Sequence, residues 1–187
     1  MAQKAVFIDR DGTLNEESGY LHRAEECRFI PGAIEAVALL NAAGFLVVVV
    51  TNQSGIARGY YAAAELEQLH AYMSCQLQAG GARIDGWYYC PHHPDYPSAA
   101  GGCSCRKPLP GMLHSAAAEM DIVLSSSWMI GDKAADIEAG TAAGCKPVLV
   151  LTGYGESERA SLDSGVAVCD NLYAAALHIV AAETGEK

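Results

Sequence analysis

Asp9 and Asp11 stand two residues apart in Asp9-Arg10-Asp11-Gly12-Thr13, directly after the apolar run Ala5-Val6-Phe7-Ile8. Carboxylates this close repel one another unless a cation or a shared proton compensates them. Their hard oxygens suit Mg2+ and, through it, a phosphate. Three later stretches offer related chemistry. Thr51-Asn52-Gln53-Ser54-Gly55 places a hydroxyl and backbone N–H groups in a glycine-containing turn, which suits a phosphoryl oxygen. In Arg106-Lys107-Pro108, followed by Pro110-Gly111, two closely spaced prolines restrict the backbone and could fix where Lys107 points. Gly131-Asp132-Lys133-Ala134-Ala135-Asp136 adds further carboxylates. Taken singly, each has an ordinary reading: an Asp-Gly turn, a helix cap, a solvated Arg-Lys pair.

A second cluster is richer in soft ligands. Cys90-Pro91-His92 and Cys103-Ser104-Cys105 are two short pairs with ten residues between them. Three thiolates and one imidazole make a closed tetrahedral set, the structural type of zinc site. His93 competes with His92 for the fourth place on spacing alone. A loop of this length with little apolar content has no other obvious source of order. The other cysteines, Cys27, Cys75, Cys145 and Cys169, are scattered singly and read as small hydrophobes or spare thiols.

The elements that must position these residues alternate. The first apolar run is a buried strand that delivers Asp9 and Asp11 to its carboxyl end, where open α/β sheets bind ligands. A helix is expected from Pro31-Gly32 to Ala43, stopped by Gly44. Phe45 to Val50 is a continuous β-branched run, the mark of a parallel strand covered on both faces. Leu66, Leu69, Met73 and Leu77 recur at helical spacing within 62–79 and predict an amphipathic helix. Strands follow at 84–89, 127–131, 147–151 and 166–169, with helices at 111–121, 133–143 and from 171, and 185–187 reads as a frayed end. Alternating βα units predict an α/β, doubly wound parallel sheet. The expected organisation is one domain over 1–187, without a large cap, with the zinc loop at about 90–110.

The whole chain narrows the partners. It has 187 residues, 51% of them hydrophobic, and a formal net charge of −10, so a sizeable core is available. No basic face or arm is evident, which argues against nucleic acid and anionic membranes. A small anionic substrate remains compatible, because local cations and a metal outweigh a screened global charge. No apolar stretch reaches the ~18 residues of a membrane span. An odd cysteine count in a chain of this size argues against a disulfide framework. A cytoplasmic location and a monomer are the expectations.

The four stretches DxDGT, strand-end Thr, Lys before a helix and GDxxxD, in this order, are similar to the four motifs of the haloacid dehalogenase-like phosphohydrolase superfamily. The resemblance covers essentially the whole chain and implies a Rossmann-like fold and phosphate monoester hydrolysis. It assigns Asp9 as nucleophile, forming an aspartyl-phosphate, and Asp11 as general acid and then base. Splitting the reaction eases an acceleration that must approach ~10²¹-fold. It also implies that Asp9, the Asp11 carbonyl and Asp132 hold Mg2+, that Thr51 and Lys107 stabilise the transferring phosphoryl oxygens, and that Asp136 orients Lys133 or a metal-bound water.

The pattern CPHHP followed by CxCRKP resembles a zinc-loop branch of the superfamily and favours His92 over His93 as ligand beside Cys90, Cys103 and Cys105. Two activities are known in that branch, on heptose bisphosphates and on histidinol phosphate. Gly19-Tyr20-Leu21-His22, Thr51 to Gly59, and Tyr88 to Pro94 look like the heptose-bisphosphate phosphatases, whereas the other group more typically has an acid at Ser54. Release of the C7 phosphate of a heptose 1,7-bisphosphate is thereby implied, for the supply of activated heptose to surface glycans, with histidinol phosphate as the alternative substrate. Glu17, Ser18, Gly19, Tyr20, Asn52, Gln53, Ser54 and Lys133 would contact the phosphosugar, and Arg106 would grip its second phosphate. Glu17 and Ser18 depart from the Asp and His often found there. A non-catalytic phosphosugar-binding module is the reading from another class, disfavoured because Asp9, Asp11 and Lys107 are all intact.

Overall fold

The computed structural model describes residues 2–96 and 102–184. The tail 185–187 and residues 97–101 of the zinc loop lie outside the described residues. Six parallel strands form one sheet: β1 (Ala5–Ile8), β2 (Leu46–Asn52), β3 (Gly86–Cys90), β4 (Trp128–Gly131), β5 (Lys146–Val150) and β6 (Ala167–Cys169), in the spatial order β3-β2-β1-β4-β5-β6. The helices between them are α1 (Ala33–Ala42), α2 (Ala63–Ala79), α3 (Gly111–Met120), α4 (Ala134–Ala143), the short α5 (Gly155–Glu158) and α6 (Leu172–Thr184). Each expected strand and helix is present, with ends that differ by a few residues. The turn of α5 was not foreseen, since four residues carry no readable period.

Alternation along the strands sorts their side chains to two faces. Val6, Ile8, Val47, Val49, Ile130, Val148 and Val150 pack with α1, α6 and the Leu69-Met73-Leu77 stripe of α2. Ala5, Phe7, Val48, Val50 and Met129 pack with Met112, Leu113 and Ala116 of α3 and Ala139 and Ala143 of α4. Burial on both faces explains the unbroken β-branched run of β2.

The strand order reverses between β1 and β4, where Ile8 lies beside Val49 on one side and Ile130 on the other. The crevice at the carboxyl ends of such neighbours is where a doubly wound sheet binds ligands. Asp9 leaves the sheet there, its N–H donating to the Ile130 carbonyl at 2.9 Å. Asp132 leaves β4 beside it and is fully buried. Gly12 and Gly153, both at positive φ, close around the Asp132 carboxylate so tightly that a Cβ at either would collide with it.

Candidate active site

Lys107 is the electrostatic centre of the crevice. It is 4% exposed, and its ammonium reaches Asp9 Oδ1 at 2.6 Å, Asp136 Oδ1 at 2.6 Å and the Val50 carbonyl at 2.8 Å, one acceptor for each of its three donors. Burial works against the charged form, but Asp136 and Asp9 outweigh it and hold the lysine pKa above its ordinary value. The lysine backbone is fixed as well. Asn52 Nδ2 donates to the Lys107 carbonyl, and the Lys107 N–H donates to Asn52 Oδ1, both at 3.0 Å. Asn52 thus straps the 105–108 turn to the end of β2.

Asp9, Asp132 and Asp136 present oxygens within 4.8 Å of one another. Burial, reinforced by Asp136 and Asp132 and opposed by Lys107, pushes Asp9 up to about 8. Burial also raises Asp132 to about 6, against the pull of Lys133 and the Tyr154 N–H. So many carboxylates in a dry crevice need more positive charge than one lysine provides. Asp132 Oδ2 accepts from the Tyr154 N–H at 2.9 Å, while its buried Oδ1 has no partner among the described residues. An orphaned carboxylate oxygen beside two others is what a hard divalent cation requires, so these residues fit Mg2+.

Asp11 faces the same pocket but is held from behind. Its carboxylate accepts from Arg10 Nε at 3.1 Å and Nη2 at 2.8 Å, Asn15 Nδ2 at 3.0 Å and Gln53 Nε2 at 2.9 Å. Burial alone would raise its pKa, but the Arg10 guanidinium and the neutral donors hold it below the usual value. Gln53 also donates to Thr51 Oγ1 at 2.8 Å and accepts from the Tyr61 hydroxyl. The Thr51 hydroxyl hydrogen is left to donate into the pocket, as a phosphoryl oxygen would need.

The pocket has a volume of about 390 Å3 and is bordered by Asp9, Asp11, Glu17, Thr51, Arg106 and Lys107, among others. Gly19, Tyr20, Asn52, Gln53, Ser54 and Lys133 line it too. Ser18 is exposed and lies outside this lining, next to the turn at Gly19. The side-chain atoms of Asn52 and Gln53 are spent on Lys107, Asp11, Thr51 and Tyr61, so both hold other site groups in place. Asp136 does not orient the Lys133 side chain. It pairs with Lys107 and accepts the Lys133 backbone N–H at 3.1 Å, closing the start of α4, whereas the Lys133 ammonium meets Glu17 at 3.2 Å and sits 4.5 Å over the Tyr154 ring. Arg10, Asn15, Tyr61 and Tyr154 were not singled out from sequence. Their roles come from packing between distant segments, and no short motif marks them.

Beside the pocket, Cys90, His92, Cys103 and Cys105 bring their ligand atoms within 4.8 Å of one another. Cys90 Sγ lies 3.6 Å from His92 Nδ1, 3.7 Å from Cys103 Sγ and 3.0 Å from Cys105 Sγ, and His92 Nδ1 lies 3.3 Å from Cys105 Sγ. Tetrahedral zinc with ~2.3 Å bonds to sulfur separates its ligands by roughly 3.5–3.8 Å; the Cys90–His92 and Cys90–Cys103 separations meet that range, Cys105 stands closer to its neighbours, and the soft donor set fits zinc. Arg106 Nη1 donates to the His92 carbonyl at 3.1 Å, which ties the cluster to the pocket rim.

A sheet of this order with carboxylates after β1 and β4, a strand-end threonine and a buried lysine defines a haloacid dehalogenase-like hydrolase. Residues 104–175 match the HAD-hydrolase-like family model. A D-glycero-β-D-manno-heptose-1,7-bisphosphate 7-phosphatase of Pasteurella multocida is 49% identical over 153 residues, 81% of this chain and 83% of the relative. Its counterpart from Pseudomonas aeruginosa is 43% identical over 178 residues, 94% of this chain and 97% of the relative. The crystal structure of D,D-heptose 1,7-bisphosphate phosphatase from B. bronchiseptica, complexed with magnesium and phosphate, superposes with a TM-score of 0.87 at 39% identity, covering 95% of this chain and 98% of that one. The chain belongs to the D-glycero-β-D-manno-heptose-1,7-bisphosphate 7-phosphatase family.

Proposed function

We propose that this chain is a Mg2+-dependent phosphatase that removes the C7 phosphate of D-glycero-β-D-manno-heptose 1,7-bisphosphate, in the route to nucleotide-activated heptose for lipopolysaccharide core or other surface glycans. The observation that carries the reading is the convergence of Asp9, Thr51, Lys107 and Asp132 at adjacent strand ends beneath a polar pocket. Family membership favours the heptose substrate over histidinol phosphate.

In this reading Asp9 attacks phosphorus, held by Lys107 at the oxygen that does not attack. Thr51 and Lys107 donate to the equatorial oxygens as charge spreads over them. Asp11 protonates the departing C7 oxygen and then takes the proton from the water that opens the aspartyl-phosphate. Asp9, Asp132 and the Asp11 carbonyl would hold Mg2+, with Asp136 close by; the ion neutralises charge so that one anion can approach another. Arg106 grips the C1 phosphate, and Glu17, Gly19, Tyr20, Ser54 and Lys133 border the sugar. Cys90, His92, Cys103 and Cys105 hold a structural zinc that keeps Arg106 and Lys107 in register. The reading extends to one domain over the whole chain, a monomer of 19.7 kDa, and the cytoplasm. A reducing compartment suits a chain whose seven cysteines are all unpaired and in which three are metal ligands.

The test is a substrate panel with Mg2+, containing both anomers of the bisphosphate, the 7-monophosphate and histidinol phosphate, with products identified by phosphorus NMR. Loss of the C7 signal with the anomeric phosphate retained is the expected result; a surviving C7 phosphate sinks the assignment. Asp9→Asn should keep less than about a hundredth of the wild-type kcat.

A further inference from the structure

Arg10 is the largest fully buried side chain among the described residues, with none of its surface exposed. A charged group in that position costs several kcal/mol in hydration unless its partners compensate, so what it grips is informative. Its fork engages both Asp11 oxygens, with Nη2 at 2.8 Å from each, and Nη2 also donates to the Leu21 carbonyl at 3.0 Å. The remaining nitrogen, Nη1, lies 3.3 Å from His70 Nε2. A guanidinium only donates, so His70 accepts at Nε2 and carries its hydrogen on Nδ1. Burial, with the Arg10 charge adding to it, lowers the His70 pKa to about 3, which keeps the ring neutral as that bond requires. The ring is fixed in turn: it stacks on Trp87 of β3 with centroids 4.4 Å apart and planes 18° apart. Trp87 Nε1 donates to Ser74 Oγ at 3.0 Å, and Ser74 Oγ donates to the His70 carbonyl at 2.9 Å. Neither Arg10 nor His70 lines the pocket.

We infer that Arg10 is the positioning residue of the acid/base carboxylate Asp11, and that His70, braced on Trp87, sets the angle of its fork. The inference rests on the proposed phosphatase reading for the role of Asp11, but the linkage itself is geometric. A bidentate guanidinium fixes the plane of a carboxylate as well as its position. Proton delivery to a leaving alkoxide depends on that placement. Substrate binding does not, because the linkage lies behind the pocket wall.

The test compares wild type with Arg10→Lys, His70→Phe and His70→Gln. Phe keeps a ring on Trp87 but removes the acceptor, whereas Gln restores an acceptor oxygen. The readout is kcat/KM, which reports steps up to transfer onto Asp9, for an alkyl phosphate, whose leaving group needs a proton, and an aryl phosphate, whose leaving group does not. Well-placed acid/base catalysis contributes 10²–10⁴-fold, so a loosened acid should cost about tenfold or more on the alkyl ester and less than about threefold on the aryl ester. His70→Gln should recover most of the loss. Folded variants that lose both esters equally, or neither, overturn the inference. If Arg10→Lys does not fold, His70→Phe decides alone. A crystal structure of His70→Phe separates this from the functional reading: a displaced Asp11 carboxylate supports the linkage even if wild type hydrolyses no phosphomonoester, and an unmoved one refutes it.

Discussion

Two adjacent cations at the pocket carry different loads. Lys107 is buried and shared between Asp9 and Asp136, so Lys107→Ala should damage every substrate alike and leave two carboxylates unopposed. Arg106 is half-buried at the rim and, among the described residues, anchored by one bond to a backbone carbonyl, which leaves the rest of its fork for a second phosphate in the proposed reading. Arg106→Ala should therefore lower kcat/KM for the 1,7-bisphosphate by about ten- to a hundredfold, the worth of a lost charge-assisted contact, with little change on the 7-monophosphate. Steady-state kinetics on the two esters check this; an equal loss on both would mean that Arg106 serves the reacting phosphate. Asp9, Thr51, Lys107 and Asp132 were legible in the sequence because each pairs a reactive side chain with a strand end or a helix start. Arg10 and His70 were not. The arginine occupies the variable place of a motif, and the histidine sits on the inner face of α2, where a buried histidine most often means only core. What distinguishes them is a contact between residues sixty positions apart, which no local pattern encodes.

The elements were legible for a related reason. The unbroken valine run of β2 announces burial on both faces, and the Leu66-Leu69-Met73-Leu77 stripe of α2 announces one. Side-chain detail at their ends was less readable. Asp136 was expected to orient Lys133 or a metal-bound water; in the structure one of its oxygens caps α4 while the other holds Lys107. That double use depends on Gly131, where a Cβ would overlap the Asp136 side chain. Gly131→Ala should move Asp136 off Lys107 and loosen the first turn of α4 together. An overpacked site of this kind costs typically about 1–3 kcal/mol, read as an earlier thermal midpoint, and kcat should fall as well. Unchanged stability and turnover would show that β4 and α4 can part without consequence.

At the scale of the molecule, a zinc ion in the soft-ligand cluster would stiffen the segment that supplies two cations to the pocket. Cys105 is followed directly by Arg106 and Lys107, and the His92 carbonyl receives the Arg106 fork. One zinc per chain should co-purify, and Cys103→Ala should lower that content, reduce activity and speed proteolysis within 91–106. Metal analysis checks it: no zinc in carefully prepared protein, with all seven thiols freely reactive, would discard the site. The spacing of the three cysteines was plain in the sequence, whereas spacing alone left His92 and His93 level, and the bond from Arg106 to the His92 carbonyl had no local signal at all. The placement of the site at the β1/β4 reversal has a consequence for biosynthesis. In the order of synthesis Asp132 and Asp136 follow Asp9 by more than a hundred residues, after β2, β3 and β4 have been made. No nascent or truncated product ending before β4 holds both Asp9, the nucleophile of the proposed mechanism, and its counterparts across the crevice. Synthesis that stops short thus leaves an inert fragment instead of a poorly selective hydrolase loose among the phosphorylated metabolites of the cell.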